Sequence, residues 1–147
     1  MSKAEFVPRF FAWLFDSIAM SIVSISLGFL FWALMAVANN TQSGLLEFLT
    51  GSGALLTGLL LVLLQFLYFG FFWSKSGRSI GMKLFDMRVV RRDGEPLSFV
   101  RAGLRGSVGY WISGLVFGLG YIWAAFDGNR EAWHDKIFDT WVVQVEG

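Results

Sequence analysis

The chain has 147 residues and a formal net charge of +1, with 55% hydrophobic and 18% aromatic residues against 16% charged. A mean hydropathy of +0.57 excludes an ordinary water-soluble domain, and the near-neutral charge offers no field for nucleic acid. Cysteine is absent, which excludes disulfides, thiolate zinc sites, iron–sulfur clusters and cysteine nucleophiles.

Between Phe10 and Ala38 the only ionisable group is Asp16. About 20 apolar residues suffice to cross a hydrocarbon core of roughly 30 Å, so residues 10–38 are the first expected transmembrane helix. This stretch is too long for the h-region of a signal peptide, about 7 to 15 residues, and it reads as an uncleaved anchor. Ala54 to Trp73 carries no charge and is the second expected span. Segment 74–106 holds eight Lys and Arg against three acidic residues, whereas the loop from Asn39 to Gly53 holds no basic residue. Basic segments stay on the cytoplasmic side, which places the amino terminus and the middle segment inside and the short loop outside.

Within the middle segment, Phe85 to Val90 reads as a strand closed by the turn signal Asp93-Gly94. Ser98 is a predicted helix cap. On the helix that follows, Arg101 and Arg105 fall four residues apart beside Phe99, Val100 and Leu104, the pattern of a basic interfacial helix that contacts lipid headgroups or another anion. Ser107 to Phe126 is again free of charge but contains Gly109, Gly114, Gly118 and Gly120. It is expected either to cross a third time or to form a re-entrant or broken helical hairpin bent near its glycines. The spacing of Gly114 and Gly118 suits close helix packing. Thr140 to Val145 reads as a second strand. Pairing it with 85–90 brings the acidic tail, 127–147, to the side of the basic segment, with both termini cytoplasmic. The expected fold over 1–147 is thus an all-α membrane protein with two transmembrane helices, a third glycine-rich transmembrane or re-entrant element and a small cytoplasmic β element.

Arg9, Ala12 and Asp16, then Gly77-Arg78-Ser79-Ile80-Gly81-Met82-Lys83, Met87-Arg88-Val89-Val90, Asp93-Gly94, Trp133-His134-Asp135 and Thr140-Trp141-Val142-Val143 together resemble the RDD family of small bacterial integral membrane proteins. The resemblance covers essentially the whole chain. It implies that Arg9, Asp16 and Asp135 are the arginine and two aspartates that name the family, and that the chain resides in the bacterial inner membrane. It also implies a role in transport, since sodium/proton antiport is attributed to some members.

The residues themselves support a narrower chemistry. Arg9 and Asp16 share a helix face but lie about 10.5 Å apart along the axis, too far for direct contact. Asp135 is the expected partner of Arg9, locking the tail to the first span, and exchanging the two charges is then expected to rescue the loss of either one in part. Asp16 is the candidate for ion or proton coupling, because an unpaired carboxylate in lipid is costly. Glu131, His134 and Asp135 share helical spacing but supply one copy of a motif that di-metal sites repeat on several helices, so no metal and no cofactor is expected. No nucleophile triad or dinucleotide turn is present, and the chain is not expected to be an enzyme. Two functional classes follow: a protein that moves or senses a cation or small solute, or an accessory subunit that stabilises a larger membrane complex. Its expected partners are the lipid bilayer and either further copies of itself or unlike membrane subunits.

Overall fold

The computed structural model describes residues 2–38, 40 and 44–145. Helix α1, Phe6–Ala38, is 33 residues long. It begins before the apolar run because Pro8 sits in the first turn, where a missing N–H forfeits no helical hydrogen bond. Helix α2, Gly44–Gly51, lies within the predicted outer loop, of which residues 39 and 41–43 fall outside the described residues. Helix α3 spans Gly53–Ser76. Among the described residues, α1 and α3 are the two single helices long and apolar enough to cross a membrane.

Beyond α3 come α4, Ile80–Leu84, and strand β1, Met87–Arg91. Ser98 then caps α5, Phe99–Leu104, its side chain accepting from the Arg101 N–H. A π-helical turn, Arg105–Gly109, and α6, Tyr110–Gly114, continue the same run. The chain breaks at residues 115–118 before α7, Leu119–Phe126. The helical pieces on either side of the break meet at 91°. Phe117 and Gly118 both take positive φ, 49° and 73°, and glycine adopts that conformation without a Cβ penalty. Leu115, Val116 and Phe117 form an exposed apolar tip there. Gly114 and Gly118 consequently lie on opposite sides of a bend and do not form the single packing face that their spacing suggests.

Helix α8, Trp133–Ile137, and strand β2, Thr140–Gln144, complete the chain. β1 and β2 pair antiparallel, Met87 opposite Gln144 and Arg91 opposite Thr140. Met87, Val89, Val142 and Val143 are buried. Residues 2–4 line the other edge of β2: the Ala4 N–H donates to Val142 O and the Gln144 N–H to Ser2 O, both at 2.9 Å. Both ends of the described chain therefore gather with the segment after α3. The core under this sheet is aromatic, with Trp73, Phe69 and Tyr110 packed edge to face.

Candidate functional site

Asp135 sits in the first turn of α8 and is fully buried. One carboxylate oxygen accepts from Arg9 of α1 and from the Ala132 N–H at 2.9 Å, and the other accepts from Arg105. Arg9 is fixed further by donating to Arg130 O at 2.6 Å. Arg105 is fully buried as well. Its Nε donates to the Thr140 hydroxyl at 2.9 Å, and its guanidinium lies over the Trp73 ring, 4.5 Å from the centroid. A planar fork of donors suits such multiple pairing. Burial works against ionising Asp135, but the Arg9 and Arg105 charges outweigh it and hold the carboxyl well below the usual carboxylate range.

Asp16 forms a second buried anchor. It accepts from the Tyr68 hydroxyl at 2.8 Å, the Ser79 hydroxyl at 2.5 Å and the Gly81 N–H at 2.8 Å. Ser79 caps α4 and Gly81 lies within it, so the carboxylate ties α1 and α3 to the turn that follows α3. Only glycine fits at position 81, because a Cβ there would stand 2.0 Å from Ala12 O. Residues 17–38 alone rise about 33 Å, enough to cross the hydrocarbon. The crossing therefore does not require Asp16 at its centre.

Two cavities meet at Asp16. The first, of about 240 Å³, lies between α1, α7 and the tail, and Arg9, Asp16, Arg105 and His134 contribute to walls that are otherwise largely apolar and aromatic. The second, of about 440 Å³, runs between α1 and α3 and carries Ser17, Ser21, Ser24 and Gln65. Those serines are spaced i, i+4 and i+7, one face of α1. Trp13, Asp16 and Tyr110 belong to both walls.

His134 is buried beside Asp135, and its Nδ1 lies 2.9 Å from the Ser113 hydroxyl. Burial pushes the imidazole well below its ordinary range, with Asp135 opposing and the two arginines adding to the shift. A histidine whose folded pKa is depressed stabilises the fold above its unfolded pKa of about 6.5 and loses that contribution as pH falls below it. Thermal stability in detergent is therefore expected to decline between pH 7.5 and pH 5, approaching 1.4 kcal/mol per unit at the acid end. His134→Gln is expected to flatten the profile. The Asp135 contribution is lost only below about pH 4, outside that window.

Of the residues singled out from the sequence, Arg9 and Asp135 are in direct contact, while Asp16 belongs to the separate anchor. Arg101 remains half-buried at the surface. Arg105 does not share its setting: the expected headgroup contact is replaced by a buried pairing with Asp135, because Gly103 and Gly106 let this segment settle against Phe66 and Phe69 of α3. Tyr68, Ser79, Ser113 and Thr140 also belong to these two anchors and are not singled out from the sequence, although Ser79 and Thr140 stand inside the runs that carry the family resemblance.

Residues 3–139 of the chain match the RDD family. An uncharacterised protein of Bacillus subtilis (strain 168), YxaI, is 32% identical over 148 residues, covering 95% of this chain and 96% of the relative. No solved structure matches the chain significantly.

Proposed function

The chain belongs to the RDD family, and we propose that it serves transport, moving or sensing a cation or small solute across the inner membrane with Asp16 as the coupling group. The observation that carries this reading is the position of Asp16 in the wall of both cavities, one bearing arginines and a histidine and the other a serine stripe along α1. A carboxylate at such a junction can exchange a proton or cation between the two compartments. Two spans enclose no pathway by themselves, so the working form is an oligomer.

Vesicles containing the purified protein and a trapped pH indicator are expected to respond to imposed sodium or potassium gradients. Asp16→Asn is expected to assemble normally and to bring the response down to that of protein-free vesicles. Wild-type vesicles that respond to neither gradient overturn the reading. The alternative, an accessory subunit of a larger complex, draws support from α1: none of its most apolar 18-residue window is buried within this chain, which leaves that surface to lipid or partner helices. A homo-oligomer in detergent favours the first reading, and co-purification with unlike subunits favours the second.

Both termini are proposed to be cytoplasmic, with α6 and α7 forming a re-entrant hairpin. The pairing of residues 2–4 with β2, and of β2 with β1, supports this arrangement, as does the exposed apolar tip at 115–117. A carboxy-terminal alkaline phosphatase fusion is expected to be inactive and a green fluorescent protein fusion to be fluorescent. The opposite result would mean three full crossings.

A further inference from the structure

Eight lysines and arginines among the described residues pair with a carboxylate. Lys75 and Lys83 do not. Lys75 stands in the last turn of α3 and Lys83 in α4, both exposed, and among the described residues neither ammonium has a hydrogen-bonding or ionic partner. Asp86, the nearest carboxylate along the chain, is engaged by Arg78 at 2.9 Å. A lysine that only seeks water at the end of a span extends away from the hydrocarbon. Lys75 does the reverse: its Nζ turns back over the Phe71 ring, one helical turn earlier, and lies 4.9 Å from the centroid. Lys83 Nζ lies 5.3 Å from the centroid of Phe72, and the two rings meet edge to face at 5.4 Å. Two cations thus border one aromatic patch.

The patch continues into apolar surface, because α4 sets Gly81 against Ala12 of α1 and leaves Ile80 and Leu84 exposed beside Lys83. Phe71 is exposed as well. Gly70, which receives Phe99 of α5, lies about 140° around α3 from Lys75, so the patch is on a different face from the one that α5 covers. A ring face attracts an ammonium but neutralises none of its charge and accepts none of its donors in an ordinary hydrogen bond. Both lysines therefore retain donors for an anion.

We propose that this patch binds an anionic phospholipid, its phosphate received by Lys75 and Lys83 and an acyl chain laid along Phe71, Ile80 and Leu84. The occupant has to be amphiphilic and negatively charged: a soluble phosphate gains nothing from the apolar surface, and a zwitterionic phospholipid brings a cation of its own to the two ammoniums. The site is independent of whether the chain transports anything and of which side of the membrane it faces. A lipid-binding failure and a flux failure are separate results.

The test adds phosphatidylglycerol, phosphatidylcholine with the same acyl chains, or glycerol 3-phosphate to the full-length protein in a neutral maltoside detergent, and reads bound lipid by native mass spectrometry and the melting temperature. Phosphatidylglycerol is expected to be retained at least about tenfold more strongly than phosphatidylcholine and to raise the melting temperature, with glycerol 3-phosphate inert. Lys75→Gln combined with Lys83→Gln is expected to bring that preference down to about twofold or less. Lys83→Gln alone, expected to lower it about threefold, serves if the double variant fails to fold. Arg91→Gln combined with Arg101→Gln removes the same charge elsewhere and is expected to leave the preference intact. Equal retention of the two phospholipids, an unchanged preference in a folded lysine variant, an equal loss in the arginine variant, or glycerol 3-phosphate binding as well as the lipid each overturns the proposal.

Discussion

Asp135→Ala is expected to destabilise the folded protein by about 3 to 5 kcal/mol, the range for removing one partner of a buried ion pair. The substitution strands two guanidiniums, one of them fully buried, and also deprives the Ala132 N–H of its acceptor at the start of α8. A loss of that size is a large part of the 5 to 15 kcal/mol that a domain typically has, so the variant should aggregate or melt far below the parent on size-exclusion chromatography after heating. Asp135→Asn, which retains an oxygen for one donor, should fall between the two. Arg9→Ala should be milder than Asp135→Ala, because the carboxylate keeps Arg105 and Ala132. Exchanging the charges at 9 and 135 is not expected to rescue, contrary to the expectation for an isolated pair. A guanidinium at position 135 would face Arg105, and like charges in a buried site repel strongly. An Asp135→Ala variant that melts with the parent would show that the cluster contributes nothing.

The third member of that cluster shows where sequence reasoning stops. Arg9 stands out because a charge at the edge of an apolar run needs a partner, Asp135 stands out only through the resemblance to the RDD family, and both strands show as β-branched runs whose backbones must be satisfied. Arg105 carries no such mark. Its spacing from Arg101 matches a solvated basic face, and that reading is overturned only by tertiary packing. Phe66 and Phe69 occupy the space that side chains at 103 and 106 would need, and Arg105 begins a π-helical turn that departs from the helical period on which facing arguments rest. The small residues Ala102, Gly103, Gly106 and Ser107 around an arginine are the available clue, since a surface helix has no need of them. The bend is legible for a different reason: four glycines in a charge-free stretch argue against a straight helix, although which one takes the left-handed conformation depends on where α7 must pack.

The Asp16 anchor separates charge from structure in a way that the first cluster does not. Asp16→Ala removes the acceptor of three donors, two of which, the Ser79 hydroxyl and the Gly81 N–H, belong to buried residues. An unsatisfied buried donor costs about 1 to 3 kcal/mol, so a loss of about 2 to 6 kcal/mol is expected, with release of α4 from α1 visible as increased amide exchange at residues 79–84. Asp16→Asn keeps an oxygen where Tyr68 and Gly81 donate. Its amide nitrogen then meets the Ser79 hydroxyl, which can rotate its proton and accept. That variant should lose less than about 1 kcal/mol while carrying no titratable charge. Stability therefore ranks the parent close to asparagine and well above alanine, whereas flux in vesicles should rank asparagine with protein-free controls. If asparagine melts like alanine, the anchor depends on the carboxylate's charge and a flux defect reports only a disturbed fold. If alanine melts like the parent, α4 is held by the close approach of Gly81 to Ala12, and Asp16 is released from any structural duty.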